Sequence, residues 1–347
     1  MKKTVAIFLT IGILSGIVIA GTAAYSLLDT LVIPHAVGNA SDLTSASLNF
    51  DDSSISSSSF ESASTSSTSI ESTSTQSTST SSSLTTGSSS SSSVSKTTIT
   101  YTTGEYRCYK GKSITYHLVE INLRSVADLH RHIVTDSSGG FGQGIEATVS
   151  DQVSSVEEDG VTVLAAINGD TCFYSNNNAG YVIADGKTYR KTKRSGAEQD
   201  FALFANGSVL SYLESDYSYS TISSMNGGCY QNWVFGPSLI VDGSLAVDET
   251  SEIDGKNTSA DPRTAIGYVN SKHFFFLTSD ILGSRNSGYG FLLYDLANLL
   301  LGKGCTFAYN LDGGGSATMY VESEGGVVND NTYGYERDLS DMIYVVE

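Results

Sequence analysis

Short runs rich in Val, Ile, Tyr and Phe follow one another along the C-terminal part of the chain. These residue types favour β-strands, because their branched or aromatic side chains pack well on a pleated surface. Between the runs stand dipeptides that tolerate a positive φ, as two-residue hairpin turns require. The runs cover residues 114–122, 162–167, 201–204, 238–241, 265–269 and 273–278, and the turn dipeptides are Asp185-Gly186, Asn206-Gly207 and Asp242-Gly243.

Helical spacing of apolar residues occurs at two places. Leucines recur every three or four positions over 291–301, and two glycines follow that would end the helix. A weaker helical pattern covers residues 150–158. Strands therefore outnumber helices, and the sequence predicts a single α+β domain around a mixed β-sheet core.

The N-terminus carries an uncharged apolar run over residues 5–25, preceded by Lys2 and Lys3. About 20 such residues span the roughly 30 Å hydrocarbon core of a bilayer, and lysines in front favour a cytoplasmic N-terminus. We predict a transmembrane signal-anchor with the C-terminal domain outside the cell. The alternative is a signal peptide cleaved near Thr22-Ala23-Ala24, which would give a secreted protein.

Residues 41–95 consist mostly of Ser and Thr and contain no Lys or Arg. A segment this polar cannot bury enough apolar surface to offset its conformational entropy, so it is expected to be disordered. As a flexible coil it would reach on the order of 40 Å. It serves either as a plain spacer or as an acceptor of O-glycans. The predicted organisation is 1–28 cytoplasmic tip and membrane segment, 29–98 linker, and 99–347 folded domain.

Composition narrows the function. With 19 Lys and Arg against 37 Asp and Glu, the formal net charge is −18, which argues against a nucleic-acid partner. The four cysteines form no C-x-x-C pair, so neither a zinc site nor a thioredoxin-like motif is indicated. Outside the cytoplasm they form up to two disulfides or remain buried thiols. They are Cys108, Cys172, Cys229 and Cys305.

Three consecutive glycines follow Asp312 at the end of a β-like run. Such a series costs conformational entropy and is useful where backbone approaches another group closely. Its amides are suited to an anion-holding concavity, and Asp312 stands beside them for acid/base or nucleophilic work. The alternative is a wide hairpin turn with a capping Asp.

Two further clusters stand at strand ends, one at Asn168-Gly169-Asp170 and one at Asp261-Pro262-Arg263. An Arg can hold a phosphate in a two-pronged grip that Lys does not reproduce. Together with the Asp312 segment, these clusters predict a polar pocket at one edge of the sheet.

Two basic features allow competing interpretations. His130 and His132 would share one face of a strand, where they are either a solvated pair or part of a metal site, the former being favoured. Five cations crowd into residues 187–194 and either guide an anionic polymer to the pocket or flank a solvated hairpin. No cofactor is expected, and whether a divalent metal takes part stays open.

The sequence resembles the phosphodiester glycosidase family over residues 113–347. That resemblance implies a mixed α+β fold and hydrolysis between a sugar's anomeric carbon and a phosphodiester. The substrate would be a carbohydrate phosphodiester, for instance on a cell-surface glycan or exopolysaccharide. The motifs that carry the resemblance are Asn168-Gly169-Asp170, Phe235-Gly236-Pro237-Ser238-Leu239, Pro262-Arg263-Thr264-Ala265-Ile266-Gly267 and Asn310-Leu311-Asp312-Gly313-Gly314-Gly315-Ser316.

The resemblance and the strand-end pattern together suggest roles. Asp312 and Asp170 would be the two catalytic carboxyls, since glycoside cleavage ordinarily uses such a pair. Arg263 would hold the phosphate, and Asn168 and Asn310 would bind sugar hydroxyls. The other expected substrate-binding residues are Thr264, Gly313, Gly314, Gly315, Ser316, Asp280, Arg285 and Arg337. The competing functions are a non-catalytic glycan-binding module and a transferase of exopolysaccharide assembly.

Overall fold

The computed structural model describes residues 96–108, 111–142, 144–170, 179–194, 196, 199–251, 261–283, 290–331 and 334–347. All of them belong to one compact unit. The predicted membrane segment, the predicted linker up to residue 95, Cys172 and Arg285 lie outside the described residues. In the part that is described, none of the helices has the length and apolar character needed to cross a membrane.

The described residues form seventeen strands and three α-helices. The strands are β1 (Thr98–Arg107), β2 (Ser113–Asn122), β3 (Leu129–Ile133), β4 (Val163–Asn168), β5 (Val182–Ala184), β6 (Lys187–Arg190), β7 (Gln199–Phe204), β8 (Val209–Leu213), β9 (Cys229–Trp233), β10 (Ser238–Val241), β11 (Ser244–Leu245), β12 (Arg263–Asn270), β13 (His273–Ser279), β14 (Phe307–Asn310), β15 (Met319–Val321), β16 (Gly326–Val327) and β17 (Asp341–Val346). The helices are α1 (Val149–Glu157), α2 (Tyr219–Ser224) and α3 (Leu293–Gly302). The predicted excess of strands over helices is confirmed.

Two large sheets organise the domain. The first has the strand order β1-β2-β13-β12-β14-β10-β11 and the second has the order β16-β15-β4-β17-β3. Smaller sheets are formed by β8-β7-β9 and by β5-β6. Where the sequence predicted one mixed sheet, the described strands pair only in antiparallel fashion. Short hairpins, which can join only antiparallel strands, account for several of these pairs.

The main core lies between the two large sheets. Alternate residues of each strand point to the same face, so the inward positions of both sheets meet in one apolar cluster. The three-stranded sheet contributes Phe201, Leu203 and Trp233 to this cluster. From the two large sheets its members include Val119, Ile121, Phe274, Phe276, Ile167, Met319, Ile343 and Val345.

Each large sheet carries a helix on its outer face. On the first sheet, Leu296 and Leu300 of α3 share an apolar cluster with Leu239 and Ile240 of β10. On the second sheet, Val153 of α1 packs with Met342 of β17. The two predicted helices are thus confirmed, and their apolar stripes explain why they form: each helix covers the apolar outer face of a sheet.

Two of the predicted hairpin turns join their strands through two residues. Asp185 and Gly186, with φ of 51° and 73°, connect β5 to β6. Asp242 and Gly243, with φ of 49° and 74°, connect β10 to β11. Positive φ at both central positions belongs to the turn whose twist matches that of the flanking strands.

The five cations within residues 187–194 are not all exposed to solvent. The Nε and Nη2 atoms of Arg190 donate to the carbonyls of Gly180 and Ala179 at 2.7 Å, and Arg194 forms an ion pair with Asp200. The other three members, Lys187, Lys191 and Lys193, are exposed. Two of the five charges therefore bind groups within the fold, so fewer charges are left on the surface to guide an anionic polymer.

The described cysteines are thiols. Cys108, Cys229 and Cys305 are buried and unbonded to one another. Burial raises the pKa of both Cys229 and Cys305 to about 12. These three side chains therefore act as small apolar core residues.

Candidate active site

The ends of three strands converge on a small enclosed cavity. Asp170 follows β4, Asp312 follows β14, and Asp341 begins β17. The cavity has a volume of about 10 Å³, which is the scale of one water molecule. It is lined by Asn168, Gly169, Asp170, Asp312, Leu339, Ser340 and Asp341. Asn168, Asp170 and Asp312 of the predicted polar pocket line this cavity, whereas Arg263 is not among its described lining residues.

Asn168 connects the two large sheets at this point. Its Oδ1 accepts from Thr264 Oγ1 at 2.8 Å and from the Thr318 amide at 3.1 Å. Its Nδ2 donates to the carbonyls of Asp312 at 2.7 Å and Gly169 at 3.2 Å. Both donors and both lone pairs of the amide are thus engaged, which fixes the Asp312 backbone relative to β4 and β12.

Arg131 is a central residue of the site that the sequence-based prediction missed. Its Nη2 donates to Asp170 Oδ1 at 2.6 Å and its Nε donates to Asp341 Oδ2 at 2.9 Å. The three side chains are essentially inaccessible to solvent. Asp170 also accepts from the Val234 amide at 2.7 Å through Oδ2. The ion pairs hold Asp170 in one orientation at the cavity.

The alternation of inward and outward positions along β3 is the sequence signal that could have identified Arg131. Leu129 and Ile133, two positions away on either side, are buried like Arg131, so the guanidinium lies on the inward face. His130 and His132 occupy the other face, where His130 Nδ1 lies 3.1 Å from Asp185 Oδ2. Burial lowers the pKa of His132. No group of three or more His, Cys, Asp or Glu suited to a metal is found among the described residues.

Asp341 was also missed, and burial raises its pKa while Arg131 opposes the rise. It approaches the backbone at Gly169 so closely that only glycine fits there. A Cβ on Gly169 would stand 1.8 Å from Asp341 Oδ2. The glycine of the Asn-Gly-Asp motif therefore makes room for the second carboxylate of the Arg131 network.

Gly169→Ala should destabilise the protein by about 1–3 kcal/mol, the usual cost of an overpacked core. The added methyl would displace the Asp341 carboxylate from Arg131. Chemical denaturation measures the change. Gly302→Ala is the control, because its new Cβ would meet nothing within 4 Å and alanine favours a helix. Unchanged stability of Gly169→Ala would contradict the steric argument.

Asp312 has one free carboxylate oxygen. Its Oδ1 accepts from the Gly313 amide at 2.9 Å, whereas Oδ2 is buried and makes no hydrogen bond to the described residues. Burial raises the pKa of Asp312, and the Ser316 hydroxyl, the Gly313 amide and the Arg337 charge oppose the rise. A carboxyl of this kind, desolvated and with one oxygen that lacks a hydrogen-bond partner, has the properties of a group that exchanges protons.

Arg263 lies beside Asp312 at the start of β12. Burial lowers its pKa to about 10, and the charges of Asp261 and Asp312 oppose the fall. At neutral pH the guanidinium therefore stays charged. Its Nε donates to the Phe291 carbonyl at 3.2 Å. A Cβ on Gly313 would stand 2.7 Å from the Pro262 carbonyl oxygen, so this glycine allows the Asp312 loop to pack against β12.

The glycine loop does not offer all its amides to a ligand. The Gly313 amide donates to Asp312 Oδ1, and the Gly314 amide donates to the Pro262 carbonyl at 2.9 Å. The Ser316 amide donates to the Gly313 carbonyl at 3.1 Å. Gly314 has a φ of 61°, which glycine adopts readily. The anion-holding concavity expected here is not formed by these three amides.

The remaining expected site residues differ in position. Arg337 Nη1 donates to Ser316 Oγ at 3.3 Å. Asn310 is buried in β14, where Nδ2 donates to the Gly236 carbonyl at 2.8 Å and Oδ1 lacks a partner among the described residues. Gly315 is buried in the loop. Arg285 lies outside the described residues.

Asp280 stands at a second, larger cavity. Its Oδ2 lies 3.2 Å from His117 Nε2, and His117 Nδ1 lies 2.8 Å from the Tyr101 hydroxyl. Its Oδ1 accepts from the Asp330 amide at 3.1 Å. The cavity has a volume of about 440 Å³ and is lined by Ile281, Gly283, Asn329, Asp330, Asn331 and Gly334.

Comparison with known proteins identified relatives in sequence and in structure. The SPbeta prophage-derived uncharacterized protein YomE of Bacillus subtilis (strain 168) is 27% identical over 184 residues, which are 52% of this chain and 28% of that protein. The chain thus spans less than a third of that relative's length. A hypothetical protein from Synechocystis is 16% identical with a TM-score of 0.45, over 72% of this chain and 62% of its own.

The catalytic domain of zebrafish N-acetylglucosamine-1-phosphodiester alpha-N-acetylglucosaminidase, auto-inhibited by its pro-peptide, has a similar fold. Its TM-score is 0.55 at 17% identity, covering 72% of this chain and 83% of that one. The family model described as phosphodiester glycosidase matches residues 162–346, more than half of the chain. That range contains Asn168, Asp170, Arg263, Asp312 and Asp341, and the chain belongs to the phosphodiester glycosidase family.

Proposed function

We propose that this protein hydrolyses the bond between the anomeric carbon of a sugar and a phosphodiester. The observation that carries the proposal is Asp312, a desolvated carboxyl with a free Oδ2, beside the charges of Arg263 and Arg337. The related zebrafish protein is named as a glycosidase of an N-acetylglucosamine-1-phosphodiester. Its name supports the same class of bond for this chain.

In the proposed reaction, the bond from the anomeric carbon to the phosphate oxygen breaks with both electrons leaving on that oxygen. Water supplies the oxygen that bonds to the carbon, and its proton passes through a carboxylate. The products are a free sugar and a phosphate monoester. Asp312 and Asp170 are the two carboxyl groups available for these roles, and their order is open.

The two carboxyls differ in how they are held. Asp170 is fixed by Arg131 and by the Val234 amide, so its charge can stabilise positive character that develops on the sugar ring. Asp312 has a raised pKa and an Oδ2 atom without a hydrogen-bond partner among the described residues, which suits proton transfer. This difference favours Asp312 as the proton carrier and Asp170 as the electrostatic partner.

The arginines supply the charge that a departing phosphate requires. A phosphate leaving group is a weak base and needs little protonation, so stabilisation of its charge contributes more. Arg263 stays charged despite its burial, and Arg337 is linked to the glycine loop through Ser316. We assign the phosphate to these two guanidinium groups, with the loop from Gly313 to Ser316 at the junction between sugar and phosphate.

Asn168 and Thr264 act in this proposal as positioning residues. The Asn168 amide is engaged on all sides, so it orients the Asp312 segment without touching a sugar. Thr264 is part of the same connection. Asn310, buried in β14, is likewise assigned to support the loop.

We propose further that the domain acts outside the cell, attached to the membrane. The support is in the sequence, where the apolar run over 5–25 precedes a long Ser- and Thr-rich segment. Such a tether would let the domain reach glycans at the cell surface.

The test is turnover of a panel of sugar-1-phosphodiesters by the full-length protein, in water enriched in oxygen-18. Phosphorus NMR should show conversion of diester to monoester, and mass spectrometry should find the label on the sugar. Label on the phosphate would indicate attack at phosphorus and overturn the assignment. Transfer of the sugar to an added alcohol in preference to water would favour a transferase. Binding without turnover would favour a glycan-binding module.

A further inference from the structure

The residues first expected to bind sugar hydroxyls are either fully hydrogen-bonded inside the fold or inaccessible to a ligand. The Asn168 amide makes four internal hydrogen bonds, and the Asn310 side chain is fully buried in a strand. A glycosidase must nevertheless hold its sugar through polar groups that face a cavity. The side chains that do so must lie elsewhere.

The cavity beside Asp280 has the required size and lining. Its volume of about 440 Å³ falls within the roughly 300–1,000 Å³ of small-molecule pockets. Its wall combines acidic, amide and apolar side chains, including Asp330, Asn331 and Ile281. Carboxylate and amide oxygens accept hydrogen bonds from hydroxyl groups, and an apolar side chain suits the C–H face of a sugar ring.

This cavity adjoins the reaction centre. Asn331 Nδ2 lies 3.3 Å from Thr318 Oγ1, and the Thr318 amide donates to Asn168, which in turn binds the Asp312 carbonyl. Asn329 Nδ2 donates to the Ala317 carbonyl at 2.9 Å. The cavity wall is thus built directly on the segment that follows the glycine loop.

The cavity and the region around Asp312 differ in the sign of their charged side chains. The carboxyl of Asp330 lies at the cavity, and that of Asp280 lies next to it, where its Oδ1 accepts from the Asp330 amide at 3.1 Å. The guanidinium groups of Arg263 and Arg337 are not among the cavity's described lining residues and instead interact with Asp312. Like charges within a few ångströms repel, more strongly where water is partly excluded. A phosphate is therefore disfavoured in the cavity and favoured at the arginines.

We infer that the cavity lined by Asp330 and Asn331, with Asp280 beside it, is the subsite for the sugar, and that it selects an uncharged sugar over a uronic acid. The inference rests on the proposed function, because it orients the same substrate across the site. His117 is a positioning residue here: a carboxylate can only accept, so His117 Nε2 donates to Asp280 at 3.2 Å, and the Tyr101 hydroxyl lies 2.8 Å from Nδ1.

The experiment measures binding directly, so it does not depend on turnover. Saturation-transfer NMR with the full-length protein uses methyl α-glucoside, methyl α-N-acetylglucosaminide and methyl α-glucuronide as probes, with inorganic phosphate as a separate competitor. At least one of the uncharged glycosides should bind, and the glucuronide should bind more weakly. Phosphate should leave glycoside binding in place.

Variants locate the binding. Asn331→Ala should weaken binding of the uncharged glycoside about 3- to 10-fold, the range of one hydrogen bond. Asp330→Asn should raise the affinity for the glucuronide relative to the uncharged glycoside. Asp159→Asn, an exposed acid at the end of α1, is the matched control and should change neither.

The outcomes separate the two proposals. If no uncharged glycoside binds, or if Asn331→Ala and Asp330→Asn leave the probe affinities unchanged, the subsite is not in this cavity, whatever the turnover assay gives. If the glycosides bind here and every phosphodiester stays intact, the subsite stands and the hydrolytic function fails.

Discussion

Asp312→Asn is expected to lower kcat on a sugar-1-phosphodiester by at least about a hundredfold, the usual scale for lost acid/base assistance. The amide keeps the size of the side chain and an acceptor for the Gly313 amide, which now donates to Oδ1 at 2.9 Å. The substitution removes the ionisable group that exchanges a proton in the proposed reaction. KM should change little, because the arginines and the sugar cavity are intact.

The same substitution should make the folded protein more stable at neutral pH. Burial raises the pKa of Asp312 above 3.8, so the native state holds this proton more tightly than the unfolded chain. The stability linked to this group is therefore complete below the unfolded pKa and is lost as pH rises through the folded pKa. Asn never ionises, so it avoids that loss.

Two measurements check this prediction. The Tm of Asp312→Asn should exceed that of the wild type at pH 7, and the difference should shrink as pH is lowered toward 4. Asp159→Asn, on the surface, should alter neither Tm nor kcat. Full activity in Asp312→Asn would remove this residue from the chemistry, and a lower Tm at pH 7 would contradict the desolvation argument.

Arg131→Met is expected to destabilise the protein by about 3–5 kcal/mol, because removing one member of a buried ion pair leaves its partners uncompensated. Asp170 and Asp341 both bind this guanidinium and neither side chain is accessible to solvent. Methionine fills much of the volume, so the loss reports charge more than packing. Activity should be lost as well, since Asp170 would no longer be held in place.

Acid should partly restore the variant. Without Arg131, the charge that opposes the raised pKa of the buried Asp341 is gone, so the native state of the variant binds more protons than the unfolded chain. The free energy of unfolding of Arg131→Met should therefore increase as pH falls from neutral toward the ordinary range of an Asp carboxyl. Denaturant titrations at several pH values measure this slope.

Arg124→Met is a matched control for this comparison. Arg124 Nη2 pairs with Asp128 Oδ1 at 2.6 Å, but the arginine side chain is 51% exposed. The Asp128 side chain is 5% exposed but keeps hydrogen bonds from Thr97 Oγ1 at 2.8 Å and from the Ser125 amide at 3.1 Å, so loss of the half-exposed cation should cost no more than about 1 kcal/mol. Similar losses in the Arg131 and Arg124 variants would contradict the distinction between buried and exposed pairs.

Local patterns in the sequence were sufficient to predict six of the described strands and two of the two-residue hairpin turns. The run over 114–122 became β2, and the Asp185-Gly186 and Asp242-Gly243 turns have the positive φ that the dipeptides suggested. These features depend on neighbouring residues. The division into two facing sheets depends on which distant strands pair, and that information is spread over the whole chain.

The site could be predicted only in part for the same reason. Asp170 and Asp312 stand out locally because glycines accompany them at strand ends. The ion pair between Arg131 and Asp341 joins residues 210 positions apart, and only the folded sheets bring them together. The motif also failed to show that the Asn168 amide is engaged on all sides, because its partners come from three other segments.

The connection of both sheets through Asn168 has a consequence for refolding. Asp170 follows a strand of one sheet and Asp312 follows a strand of the other, so neither sheet alone carries both carboxyls of the proposed catalytic pair. Recovery of enzymatic turnover after dilution from denaturant should therefore coincide with docking of the sheets and follow the formation of the individual hairpins. Catalysis would then serve as a kinetic reporter of the final assembly step.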